Sequence, residues 1–152
     1  MGHEKKLLIV SHTPSVNTQT LTDSVAEGAR SSSAIVELSP PLETGPEQVL
    51  AADGIILGTT ENFGYMSGAM KDFFDRIYYH CLEETRGLPY AIFIRAGQDG
   101  LGARSSIERI VTGLGWRAVQ EPLICKGPVS DFRDDCRQLG ALMALGLEQE
   151  IF

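Results

Sequence analysis

The chain has 152 residues, of which 43% are hydrophobic and 22% are charged. This length fits one domain that buries about 70% of the surface its unfolded form would expose, and the composition is ordinary for a globular protein. The net charge of −7 argues against nucleic acid as the main partner, because phosphate binding needs clustered Lys and Arg, and the 13 present are dispersed. No apolar run approaches the length of a membrane span or of a signal-peptide core.

Three cysteines, Cys81, Cys125 and Cys136, are an odd number without a metal-ligand spacing. They predict neither a zinc site nor a disulfide framework, and they suit a reducing compartment. We therefore expect no metal, no membrane insertion and a cytoplasmic location. A single domain is expected over residues 1–152, with an unstructured start at residues 1–5.

The first half of the chain alternates apolar runs with helix signals. Residues 6–10 predict a strand that is buried on both faces. Asn17 or Thr18 would cap a helix whose apolar residues are four apart and which ends at a serine run. The remaining predicted elements of this half are a second strand at 34–38, a short helix around 47–52 and a third strand from Gly54.

Two adjacent apolar rows of residues spaced four apart predict the helix after the third strand. The Asp72 to Arg76 spacing favours a modest i,i+4 ion pair of about 0.3 kcal/mol on a solvated face. The rows that would cover the sheet are Ala69, Phe73, Ile77 and Cys81, and Met70, Phe74, Tyr78 and Leu82.

The second half repeats the alternation, so that five strands alternate with helices in all. This order predicts an α/β fold with a parallel sheet covered on both sides. The predicted elements are a fourth strand at 90–95, a helix with Ala103, Ile107, Ile110, Val111 and Leu114 that stops at Gly115, a fifth strand at about 118–124, and a last helix from Ser130 or Asp131 with Phe132, Cys136, Leu139 and Met143 on one stripe.

Parallel strands with right-handed crossovers place the loops after strands one, three and four at one edge of the sheet, where ligands bind. The first loop, residues 11–20, carries hydroxyl and amide side chains into a turn that opens a helix. Unpaired N–H groups and the helix dipole there favour an anion such as a phosphate. An ordinary helix cap rich in Ser and Asn accounts for the same residues equally well.

The second and third loops carry the other features of a ligand site. Phe63 and Tyr65 have the shape to flank a flat ring, and Gly64 lets the backbone approach it, which indicates a planar cofactor. The third loop, residues 96–103, has three glycines and two polar side chains, which permit hydrogen bonds to the edge of a ligand. The spacing of its glycines is not that of the dinucleotide fingerprint.

In chain order, the three loops resemble those of the flavodoxin-like superfamily. The Ser-x-Thr-x-x-x-Asn-Thr turn at 11–18 resembles its FMN phosphate loop. Phe63-Gly64-x-Met66 followed by Lys71-x-Phe73-x-Asp75-Arg76 is similar to the second flavin loop of the NAD(P)H-dependent FMN and quinone reductase branch, and Gly97-Gln98-Asp99-Gly100 to the third. The resemblance implies a three-layer α/β/α sandwich with a five-stranded parallel sheet of order 2-1-3-4-5.

The resemblance also implies which residues would bind FMN. Glu61 would point to solvent or to a ring N–H, because its charge repels the phosphate of the cofactor. The implied set is Ser11, Thr13, Ser15, Asn17 and Thr18 for the phosphate; Thr60, Glu61, Asn62, Phe63, Gly64, Tyr65 and Met66 for the isoalloxazine and ribityl chain; and Ala96, Gly97, Gln98, Asp99, Gly100 and Gly102 for the pyrimidine end.

The activity implied by the resemblance is NAD(P)H-dependent reduction of a flavin or quinone, with hydride transfer through FMN N5. FMN would carry the chemistry, so no catalytic side chain is expected, and a homo-oligomer is implied. The third loop has no aromatic residue, which would leave one flavin face open to a nicotinamide. Two alternatives remain, a flavodoxin-type electron carrier that meets redox proteins through its acidic surface, and a flavodoxin-fold module without cofactor.

Two other candidate groups are weaker. Cys81 and Arg86 imitate a phosphatase loop, but their spacing is one residue short, and Glu83 and Glu84 between them would repel a phosphate. Cys81 is therefore interpreted as a core residue. His12 is interpreted as a surface loop residue and not as a general base.

Overall fold

The structure, a computed structural model, describes residues 4–152 as a parallel sheet between two helical layers. The strands are β1 (Lys6–Ser11), β2 (Ile35–Ser39), β3 (Gly54–Asn62), β4 (Tyr65–Met66), β5 (Pro89–Arg95), β6 (Arg117–Ala118) and β7 (Leu123–Cys125). The α-helices are α1 (Val16–Ala29), α2 (Pro46–Ala51), α3 (Gly68–Cys81), α4 (Leu101–Leu114) and α5 (Arg133–Glu148), and short 3₁₀ turns span Pro41–Glu43 and Val129–Phe132.

The sheet has the order β2-β1-β3-β5-β6, and β7 also pairs with β5. The predicted flavodoxin-like order is confirmed, but its fifth strand is broken into two pieces. Val119 N–H still donates to the Tyr90 carbonyl (3.2 Å), and regular pairing resumes at Leu123. Pro122 lies in this gap and has no N–H to contribute to the ladder.

The core has two parts, one on each face of the sheet, because successive side chains along a strand point to opposite faces. Leu8 and Val10 of β1 face the layer of α2, α3 and α4, and Leu7 and Ile9 face α1 and α5. The predicted stripe of α3 is confirmed, because the buried residues of this helix come from its two rows: Met70, Phe73, Phe74, Ile77 and Cys81.

Two local predictions need correction. Helix α1 is capped by Ser15, not by Asn17 or Thr18, because Ser15 has an extended backbone and its side chain accepts the Thr18 N–H. Arg76 forms the expected ion pair with Asp72 (2.7 Å), but it is more than a solvated charge. Its guanidinium also donates to the carbonyls of Pro41 (2.6 Å) and Thr44 (2.9 Å), which ties α3 to the turn before α2.

The predicted unstructured start falls partly on residues 1–3, which lie outside the described residues. The Lys5 carbonyl accepts the Ile35 N–H (2.8 Å), so the hydrogen bonds to β2 begin one residue before β1. Across residues 4–152, no helix has both the length and the apolar character that a membrane span requires.

Candidate functional site

The carboxyl ends of β1, β3 and β5 lie side by side. Ser11 at the end of β1 is in register with Gly58, and Thr60 of β3 is in register with Arg95 at the end of β5. The strand order reverses between β1 and β3, and such a reversal is where open parallel sheets bind their ligands. The structure thus brings the three predicted loops to one edge.

The first loop ends in a reciprocal cap on α1. Thr18 N–H donates to Ser15 Oγ (3.3 Å), and Ser15 N–H donates to Thr18 Oγ1 (3.0 Å). These two hydroxyls are engaged by the helix itself, as in a capping box. The first N–H groups of a helix have no acceptor within it, so those of Val16 and Asn17 are available to a ligand. Asn17 is exposed, and its side chain forms no hydrogen bond or ion pair with another described residue.

Ser11 and Thr13 occupy different environments in this loop. Ser11 is buried and its Oγ is hydrogen-bonded to Thr22 Oγ1 (2.7 Å), under α1. It is the last residue of β1, faces the same side as Leu7 and Ile9, and borders the same cavity as Thr13. Its contact with a phosphate remains a prediction. Thr13 is half-exposed and borders a cavity of about 200 Å³ next to Ser39.

The second loop, predicted from the sequence only as a loop, is a tight β-hairpin between β3 and β4. Asn62 pairs with Tyr65, and the two residues between them, Phe63 and Gly64, have φ of 53° and 69°. Two positive φ angles in a two-residue turn are those of a type I′ hairpin. Phe63 is fully exposed at the tip, Tyr65 is partly exposed, and Met66 is buried.

Glu61 caps the start of α4. Its Oε1 accepts the N–H of Gly100 (3.2 Å), and its Oε2 accepts those of Gly102 (3.0 Å) and Ala103 (3.2 Å). A carboxylate is favoured there by the free N–H groups and by the helix dipole. The expectation that Glu61 points to solvent or to a ring N–H is therefore wrong, because its two oxygens tie the second loop to the third.

The third loop contains both open and packed positions. A Cβ on Gly102 would collide with the carbonyl of Gly64, so this glycine allows the hairpin tip to rest on the first turn of α4. Gly100 has a φ of 73°, and a Cβ there would meet Ile124. Gly100 and Gly102 thus hold the loop in place. Their contact with the cofactor remains a prediction.

The eighteen predicted site residues fall into two groups by what surrounds them. Those whose side chain or backbone is accessible at the edge are Thr13, Asn17, Asn62, Phe63, Gly64, Tyr65, Gly97, Gln98 and Asp99. The others are buried, half-buried or engaged by other parts of the chain: Ser11, Ser15, Thr18, Thr60, Glu61, Met66, Ala96, Gly100 and Gly102. FMN contact remains a prediction for both groups, and the second group also builds the frame of this edge.

Two polar atoms at this edge are buried without a hydrogen-bond partner within residues 4–152, Thr60 Oγ1 and His12 Nδ1. The first lies at the end of β3 and the second just after β1. Burial lowers the pKa of His12, which favours its neutral form. His12 is half-buried and not simply a surface residue. Buried polar atoms without a partner are uncommon, so these two make the edge a candidate for ligand binding.

Arg95 is a residue of this edge that the sequence reading missed. Its guanidinium donates to the carbonyls of Cys125 (3.1 Å) and Gly127 (2.6 Å), which fixes the loop after β7 beside the third loop. The sequence does contain a signal for this role. An Arg at the end of a buried strand carries a charge that needs hydrogen-bond or ion-pair partners, and these must lie at the edge of the sheet.

The cysteines do not form a second site. Cys81 is buried in the core, as predicted, and burial raises its pKa to about 11, which disfavours the thiolate that a phosphatase would need. Cys125 and Cys136 are buried together between β7 and α5. Within residues 4–152 no group of three or more His, Cys, Asp or Glu side chains has the geometry to hold a metal ion.

Comparisons with known proteins agree with this architecture. The model of the NADPH-dependent FMN reductase family matches residues 28–125. The chain is 36% identical to a flavodoxin of Aquifex aeolicus, over 72% of this chain and 60% of that protein. It is 34% identical to an NAD(P)H dehydrogenase (quinone) of Acidithiobacillus ferrooxidans, over 47% of this chain and 46% of that protein. The matched regions thus span 60% and 46% of the length of these two relatives.

Among solved structures, a flavodoxin from the domain Archaea superposes with a TM-score of 0.79 at 20% identity, covering 94% of this chain and 99% of that one. At this identity the likeness concerns the fold alone. The flavodoxin-like fold and the resemblance to the FMN and quinone reductase branch are both confirmed. The family match extends from the end of α1 to the end of β7 and so includes the second and third loops. On this basis, the chain belongs to the NADPH-dependent FMN reductase family.

Proposed function

We propose that the chain binds FMN at the carboxyl edge of the sheet and acts as an NAD(P)H-dependent flavin or quinone reductase. Family membership supports an FMN-binding flavodoxin-like oxidoreductase. The relatives matched over part of their length are a flavodoxin and a quinone dehydrogenase, so the nicotinamide donor and the acceptor belong to this proposal.

The residues at the edge fit FMN. The N–H groups of Val16 and Asn17 at the start of α1 have no acceptor within the helix, and this helix has no acidic residue in its first turn. Together they favour a phosphate dianion without requiring Lys or Arg. Phe63 offers an exposed aromatic face for a flat ring, and Gly64 and Gly97 each have open space on the side where a Cβ would lie.

The single observation that supports a reductase over an electron carrier is the difference between the second and third loops at the proposed position of the flavin ring. The second loop presents Phe63 and Tyr65, whereas the exposed residues of the third loop are Gly97, Gln98 and Asp99. One face of a bound ring would be covered by an aromatic side chain, and the other would remain open to a nicotinamide. FMN, when bound, would supply the hydride-accepting ring, and the chain would position it and exclude water.

A flavodoxin-type electron carrier is the second candidate. It is favoured by the 36% identity to the Aquifex flavodoxin and by the net charge of −7, which suits a basic redox partner. A carrier and a reductase bind FMN alike and differ in whether the flavin reacts directly with a nicotinamide.

The deciding experiment is anaerobic mixing of the FMN-loaded protein with NADPH or NADH. We expect the visible absorbance of the flavin to bleach within the turnover time of an ordinary enzyme, at rates of about 1 s⁻¹ or more. Flavin that binds but does not bleach would point to the carrier. A protein that takes up no added FMN would overturn both readings and leave the module without cofactor.

Phe63→Ala is expected to weaken FMN binding about tenfold, because an aromatic pair contributes up to about 1.5 kcal/mol beyond its buried area. Its fully exposed side chain contributes little to folding, so the melting temperature of the apoprotein should not change. FMN fluorescence titration measures the first effect and thermal denaturation the second. Tyr79→Ala, which removes an exposed aromatic far along α3, is the matched control and should leave FMN affinity at the wild-type value.

A further inference from the structure

A groove of about 300 Å³ runs from the hairpin tip down between α3 and α4. Gly64 and Gly102 border its upper end, Ser105 and Arg109 of α4 line one wall, and Lys71 in the first turn of α3 lies on the other. Tyr65 also lines it, and Gly64, Tyr65 and Gly102 belong to the predicted FMN set. Lys71, Ser105 and Arg109 do not, and the FMN contacts described above make no use of them.

The groove is electropositive on an acidic protein. Its lining contains Lys71 and Arg109 and no carboxylate, although the chain has 20 acidic residues against 13 basic ones. Lys71 forms an ion pair with Asp75 (2.8 Å). Within residues 4–152, the side chain of Arg109 forms no ion pair or hydrogen bond. An unpaired guanidinium in a carboxylate-free groove favours an anion, and its planar donors match phosphate best.

The position of the groove indicates the shape of its ligand. Its upper end touches the hairpin that carries Phe63, where the proposed flavin ring would lie. Arg109 is seven residues along α4 from Gly102, which is about 10 Å along the helix axis. A ligand with one end against the flavin and an anionic group about 10 Å away would place that group beside Arg109. Ser105, one turn of helix closer to the tip, adds a hydroxyl donor.

We propose that this groove binds the phosphate-bearing part of the nicotinamide dinucleotide, with Arg109 as its principal anion ligand and Lys71 as the second. This assignment rests on the proposed function, because the nicotinamide end must lie on the flavin. The 2′-phosphate of NADPH and the pyrophosphate shared by NADPH and NADH offer the same chemistry to Arg109, and comparison of the two nucleotides distinguishes them.

The test is Arg109→Gln in the FMN-loaded protein, with calorimetric titration of NADP⁺ and NAD⁺ and with KM and kcat for anaerobic flavin reduction. We expect at least a tenfold loss of nucleotide affinity, a matching rise in KM and an unchanged kcat, with partial recovery in Arg109→Lys. A loss confined to NADP⁺ assigns Arg109 to the 2′-phosphate, and an equal loss for both nucleotides assigns it to the pyrophosphate. FMN affinity and the melting temperature should not move.

Arg133→Gln is the matched control, because it removes one exposed cation from α5 on the opposite face of the sheet. It should leave both nucleotides unaffected. Unchanged nucleotide affinity in Arg109→Gln, or an equal effect in Arg133→Gln, would overturn the proposal, as would a wild-type protein that binds neither nucleotide. If the wild type binds NADP⁺ but its flavin is not reduced, the reductase function fails while the titration still decides whether the groove binds the nucleotide.

Discussion

Glu61→Ala is expected to lower the free energy of unfolding by about 3 kcal/mol. The carboxylate accepts three backbone N–H groups at the start of α4, and the residues Gly100 and Ala103 that donate two of them are buried. Truncation leaves these donors without an acceptor and removes the charge that interacts with the helix dipole. Urea denaturation of the apoprotein measures this loss.

A graded series separates the charge of Glu61 from its hydrogen bonds. Glu61→Gln retains one acceptor oxygen and should cost about 1 kcal/mol, less than Ala. Glu84→Gln removes an exposed charge at the other end of α3 and should stay within about 0.5 kcal/mol of the wild type. A Glu61→Ala protein as stable as the Glu84→Gln control would show that the cap contributes nothing.

The same substitution should also affect the flavin site. Glu61 and Gly102 together hold the hairpin against the third loop, since Gly64 rests on Gly102 and the carboxylate bridges the two segments. Without this bridge, only the hairpin would hold the flavin ring of FMN in place. We therefore expect FMN affinity to fall at least tenfold, or about 1.4 kcal/mol. Glu61 would act as a positioning residue, with an effect on FMN binding and little effect on the rate of flavin reduction at saturating FMN.

Most of the fold could be predicted from local patterns in the sequence. The rows of α3 and the buried runs of β1, β3 and β5 follow from spacing alone, because the helix and strand periods decide which side chains reach the core. The same period also places the side chain of Ser11 on the Leu7 and Ile9 face of β1, under α1. The cap at Ser15 was missed because several hydroxyl residues in a row satisfy the same cap pattern.

What the sequence could not reveal depends on contacts between distant segments. Glu61 meets the start of α4 about forty positions later in the chain, and its hydrogen bonds have separations of 39, 41 and 42 residues. No local pattern distinguishes such a cap from an exposed acid. The break between β6 and β7 and the anchoring of the following loop by Arg95 are similarly set by packing at the edge of the sheet.

Asn17→Asp is the most selective test of the phosphate position, because its effects on stability and on binding should have opposite signs. Asn17 is the second residue of α1, is exposed, and its side chain forms no hydrogen bond or ion pair with other described residues. A carboxylate in the first turn interacts favourably with the helix dipole, so the apoprotein should gain up to about 0.5 kcal/mol.

A bound phosphate dianion would experience the new carboxylate as a like charge a few ångströms away. Each unit-charge pair at about 4 Å costs about 1 kcal/mol in water and more near a protein surface. We therefore expect FMN affinity to fall about 100-fold, or about 2.7 kcal/mol, and the loss to shrink at high salt. Asn17→Ala is the neutral control and should lose much less.

Riboflavin, which has the same ring and no phosphate, provides the internal control in the same pair of proteins. Its affinity should be equal in the wild type and in Asn17→Asp, since only the phosphate meets the new charge. An equal loss for FMN and riboflavin would mean that residue 17 lies near the ring or that the loop has moved. Unchanged FMN binding would place the phosphate away from α1, and the cap formed by Ser15 and Thr18 would then be the sole role of this loop.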